Sequence, residues 1–133
     1  MSITITLTDQ DKSTLRAAAY GAVSLMAASG VPHKGITHGS IVLTSATGLV
    51  GHVLVARSKD IHLQGKSVAE LADQVLPALT AAVSLLAEYP GEADNFRDTV
   101  LVAVEAAAGP RKGEPSPAVA AMARKITAAL DAA

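Results

Sequence analysis

The sequence predicts an all-α fold: a compact, single-domain bundle of five helices spanning 1–133, built around a central apolar helix at about 38–57, with a short extended N-terminal arm. Three observations predict it. Half of the residues are hydrophobic, yet there is one Phe, two Tyr and no Trp, so the core is aliphatic and rich in the good helix formers Ala and Leu. Apolar residues recur at helical spacing between Gly and Pro breaks. The stretch at 37–57, THGSIVLTSATGLVGHVLVAR, carries almost no charge on any side, and a helix apolar all round belongs in an interior.

The arm comes first. Ile3-Thr4-Ile5-Thr6-Leu7 alternates with the period of a strand, but a lone strand has little to pair with and reads as an extended arm. Helix one covers about 9–29, with Thr8 as N-cap, Asp9 and Asp11 in the first turn, and Leu15, Ala18, Ala19, Ala22, Leu25 and Met26 on its apolar face. Gly30 and Pro32 end it. After a short connection, Thr37 caps the central helix. Its aliphatic face is Val42, Ala46, Leu49, Val50 and Val53, flanked by Leu43 and Leu54.

A second face of that helix is small and hydroxylic: Ser40, Thr44, Thr47, Gly48 and Gly51. Helix one offers a matching stripe, Ala17, Gly21, Ser24 and Ala28, so the two are expected to cross closely, with Gly48 and Gly51 as contact points. Ser67-Val68-Ala69-Glu70 has the spacing of a capping box and opens the third helix, which carries Val68, Leu71, Val75, Leu79, Val83 and Leu86 inward and is expected to kink at Pro77. Tyr89-Pro90-Gly91 breaks the chain before a fourth helix that turns Phe96, Val100, Ala103, Val104 and Ala107 inward. Ser116 and Pro117 start the fifth, with Val119, Met122, Ile126, Ala129 and Leu130 as its apolar face.

Composition narrows the function. The net charge is −1 and the basic residues are scattered, while the near absence of aromatics removes stacking platforms, so no nucleic-acid partner is expected. No cysteine is present, which excludes disulfides, thiol catalysis and Cys-ligated metals. The N-terminus lacks the basic and apolar regions of a secretory signal, and the cytoplasm is the expected compartment. The uncharged run at 35–56 is long enough to span a bilayer, but seven of its positions are Thr, Ser or His, so a buried helix is the preferred reading and a membrane role the lesser one.

No catalytic residue, metal set or cofactor motif emerges. Gly65-Lys66-Ser67 matches the end of a phosphate-binding loop, but Asp60 stands where the first glycine is needed. Ser40 lies beside Gly39 without the remainder of a nucleophile elbow. The candidate ligand-binding residues are His33, His38, Ser40 and His52, around the first helix connection. If 38–57 is one helix, His38 and His52 stand roughly 21 Å apart along it and cannot share a metal. The leading function is a non-enzymatic helical interaction or regulatory protein that self-associates as a homodimer, with surplus apolar groups such as Leu76, Leu101 and Val102 at the contact. The alternatives are a small-ligand binder or enzyme near those histidines, and a membrane-associated helical protein.

Overall fold

The computed structural model describes residues 8–31, 33–54, 67–108 and 117–133. Among them the chain forms six helices and no strand: α1 (Asp9–Ala28), α2 (His33–Thr44), α3 (Gly48–Leu54), α4 (Val68–Leu86), α5 (Glu92–Ala108) and α6 (Pro117–Asp131). The fold is the expected all-α bundle. The expected arm at 1–7 and the Ser116 cap lie outside the described residues.

Local sequence accounts for both ends of α1. The Thr8 hydroxyl accepts from the Asp11 backbone N–H at 3.0 Å, and the Asp11 carboxylate accepts from the Thr8 N–H at 3.1 Å, a complete capping box. At the other end Gly30 takes φ +116°, Gly30 N–H donates to Ala27 O and Val31 N–H to Met26 O. These bonds make a Schellman stop, and the buried Val31 supplies its apolar contact.

The segment expected as one central helix at 38–57 is instead two helices. α2 starts at His33, so Thr37 lies inside it and does not cap it, and the chain breaks at 45–47 before α3. The break has a local cause. The Thr44 hydroxyl bonds back to Ser40 O and Ile41 O, competing with the helix for those carbonyls, and Gly48 follows in the left-handed region at φ +71°. The break also removes the continuous apolar helix on which a membrane span at 35–56 depended.

The bundle's centre lies elsewhere too. α1 and α5 each touch all the other helices, with the most extensive packing between α1 and α4 and between α2 and α5, while α2 and α3 pack to one side. Phe96, Leu25, Met26, Leu79, Leu86 and Ile126 are among the fully buried groups that join the layers. α4 starts on the Ser67 hydroxyl, which accepts from Glu70 N–H at 3.2 Å, and runs on through the solvent-facing Pro77 without a break. Although long and apolar enough to cross a bilayer, α4 sets Val75, Leu79, Ala82 and Leu86 against the core. A hydrogen bond from Thr80 Oγ1 to Ala129 O at 2.7 Å ties it to α6.

The close helix crossings use glycines other than Gly48 and Gly51. A Cβ on Gly35 would lie 2.1 Å from the backbone oxygen of Ala107, and one on Gly39 would lie 3.0 Å from that of Ala103. Gly35 and Gly39 of α2 therefore sit on Ala103 and Ala107 of α5, small residues at i and i+4 on both helices. Gly21 of α1 meets Val75 of α4, not the central segment. Gly51 faces Ala46 of the neighbouring break, whereas Gly48 does meet another helix, through the side chains of Glu92 and Asn95.

Candidate functional site

The α2–α5 crossing leaves an open groove on its outer side, about 380 Å³, lined by Ile41 and Val42 of α2, Ser45 and Ala46 of the break after it, and Asp98, Thr99 and Val102 of α5. Two large apolar side chains stand out of it, Ile41 at 54% exposure and Val102 at 51%. Helical spacing explains their position: once Gly39, Leu43, Ala103 and Ala107 are committed to the interior, Ile41 and Val102 point outward. Along the outer edge of α5 run three exposed carboxylates, Asp94, Asp98 and Glu105, whereas the exposed positions of α2 with described side chains, Thr37, His38, Ile41 and Thr44, include none. The groove is thus apolar in the middle and acidic on one rim.

Arg97 Nη1 stands 3.9 Å from the Asp98 carboxylate on that rim. Its Nε donates to Asp131 at 2.8 Å, and this hydrogen bond, reinforced by the charges of Asp131, Asp98 and Asp94, holds the guanidinium above its ordinary range.

A polar constellation lies at the end of the groove, around the seven residues of α3. Glu92 Oε1 accepts from Val50 N–H at 3.2 Å and from Asn95 Nδ2 at 3.3 Å, and Asn95 Nδ2 also donates to Thr47 O at 3.0 Å. At the opposite end Arg16 Nε donates to Val53 O at 3.0 Å, and the Tyr20 hydroxyl donates to Leu54 O. A carboxylate thus meets the N-terminal end of α3 and a guanidinium its C-terminal end, the arrangement a helix dipole favours. Burial pushes the Tyr20 phenol above its ordinary value, against the smaller opposing pull of Arg16.

Of the residues singled out for ligand binding, His38 is exposed on α2 and Ser40 is half-buried on the same helix. The side chains of His33 and His52 lie outside the described residues, as do Gly65 and Lys66. Because α2 and α3 are separate helices, the 21 Å spacing argued from one continuous rod no longer applies to His38 and His52. Among the described residues, no group of three His, Cys, Asp or Glu side chains stands close enough to hold a metal ion.

Sequence reasoning missed Glu92, Asn95, Arg16 and Tyr20, whose partners lie 34 to 48 positions away. It also missed Gly35 and Gly39, for which a signal did exist: the GxxxG spacing is plain once α2 is started a turn earlier. No protein-family model matches the chain, and no curated protein or solved structure is significantly similar to it.

Proposed function

We propose that the chain is a non-enzymatic helical interaction protein that self-associates through the α2–α5 groove. The observation that carries this reading is the pair of exposed aliphatic side chains, Ile41 and Val102, flanking an apolar groove. Large side chains of this kind, grouped and rimmed by polar residues, mark contact surfaces. Among the described residues the buried side chains are all apolar, which supports a packing role for the interior over a chemical one.

Charge favours one geometry for the dimer. With the twofold axis running along the groove, α5 of one copy lies over α2 of the other, and Asp94, Asp98 and Glu105 face a surface without described carboxylates. An axis crossing α5 would set the acidic edges against each other, and like charges across a contact disfavour it.

Light scattering at micromolar concentration tests the reading. A mass near twice 13.4 kDa is expected for the natural sequence, falling to 13.4 kDa on Val102→Asp or Ile41→Asp. A mass of 13.4 kDa for the natural sequence across the concentration range would overturn it.

A further inference from the structure

We propose that α3 is a latch, a segment that opens and closes on the bundle as a unit while the other helices stay folded. Seven residues are too few to hold a helix by themselves, because almost every backbone group in so short a helix lies in its first or last turn. In α3 those groups find partners on other helices: Glu92 of α5 at Val50 N–H, Arg16 of α1 at Val53 O, and Tyr20 of α1 at Leu54 O. Asn95 of α5 holds Thr47 O, just before the helix. Four long-range side-chain hydrogen bonds therefore converge on residues 47–54, and they form or break together with the docking of α3.

The hinge is built in as well. Gly48 sits at φ +71° immediately after the break, so α3 joins α2 through backbone that is not helical. The main packing pairs, α1 with α4 and α2 with α5, do not involve α3 and can persist without it. Val50, Val53 and Leu54 are fully buried, so the closed state dominates, and opening exposes those three aliphatic groups. Segments that open below the global unfolding free energy are commonly contiguous, cooperative units. The latch adds control over apolar surface to the chain, whatever the oligomeric state.

Native-state hydrogen exchange on the full chain, followed residue by residue under rising denaturant, tests it. The amides of Val50, Gly51, Val53 and Leu54 are expected to exchange through one shared opening with a shallow denaturant dependence, while buried amides of α1, α4 and α5 exchange only with the steep dependence of global unfolding. Glu92→Ala is expected to speed exchange in α3 about tenfold, with α4 and α6 unchanged, and Glu92→Gln, which keeps an accepting oxygen, to speed it less. Should Glu92→Ala unfold the protein, Arg16→Met applies the same test from the other end of the helix. Exchange of the α3 amides only by global unfolding, or acceleration spread evenly over all helices, would overturn the latch. Neither result bears on the mass measured by light scattering, so the dimer and the latch fail separately.

Discussion

α1 and α3 satisfy the same requirement in opposite ways. Each helix leaves backbone donors free at its start and acceptors free at its end. α1 meets this from within its own neighbourhood, with Thr8 and Asp11 at one end and Gly30 and Val31 at the other, none more than five positions from its partner. α3 draws on Arg16, Tyr20, Glu92 and Asn95, which belong to two other helices. A self-capped helix of 20 residues forms an independent strut, whereas α3 exists only where α1 and α5 have already met. The difference predicts which substitutions act locally and which spread.

The largest expected effect is at the crossing that brings α5 into place beneath both segments. Gly35→Ala puts a methyl 2.1 Å from a backbone oxygen of Ala107, and no rotamer change relieves a clash with main chain. Overpacking of this kind costs about 1–3 kcal/mol, and this site belongs at the upper end. Gly39→Ala, 3.0 Å from Ala103 O, should cost less. Thermal melts of the two variants rank the crossing, and equal melting temperatures would contradict a backbone contact at Gly35.

Next comes Gly51, where a Cβ would meet Ala46 O at 2.1 Å. Gly51→Ala should destabilise by about 1–3 kcal/mol and should disturb α3 and the break before it, leaving α6 untouched. Two-dimensional NMR shows whether the shifts stay within residues 45–54 and their contacts. Shift changes centred on α1 would instead restore the helix-to-helix role first expected of this glycine.

Smaller losses are expected at the self-sufficient ends. Thr8→Ala removes a cap worth about 1 kcal/mol and Ser67→Ala one worth about 0.5–2 kcal/mol, and denaturant titration should register both as modest shifts in midpoint. Hydrogen exchange should speed only in the first turn of the helix concerned. Nucleotide binding lost in the Ser67 variant would speak instead for a phosphate site.

These contrasts also explain what the sequence discloses. The local logic of α1, from cap to Schellman glycine, is read directly because every partner is near in the chain, and the inward faces of α5 and α6 follow from their 3.6-residue period. Residues 38–57 read as one helix because their hydrophobic content outweighs a local turn signal, Thr44-Ser45-Ala46-Thr47-Gly48. The clamp on α3 was illegible for a different reason. Nothing about Glu92 or Asn95 in isolation distinguishes a trans-acting cap from an ordinary acidic first turn, since the distinction depends on where α3 lies in space. The groove was half legible: Val102 stood out as surplus apolar surface, but Ile41 gained its exposure only when Gly39 and Leu43 turned inward.

The finest test separates the two ends of α3 by pH. Burial raises the Tyr20 phenol above its ordinary value near 10, so the folded protein favours the neutral, hydrogen-donating form. A group whose folded value lies above its unfolded one gives its full contribution below the unfolded value and loses it as pH climbs through the folded value. Stability should therefore hold up to about pH 10 and fall above it, with the loss beginning at the Leu54 end of α3, where the phenol donates. Tyr20→Phe removes that hydrogen bond at every pH, for about 0.5–1.5 kcal/mol, and should flatten part of the alkaline slope. The second tyrosine, Tyr89, supplies the control: Tyr89→Phe should leave the alkaline exchange of the α3 amides as it is in the natural sequence. If both substitutions change that exchange alike, the phenol of Tyr20 is not what holds the helix end, and Arg16 alone must account for it.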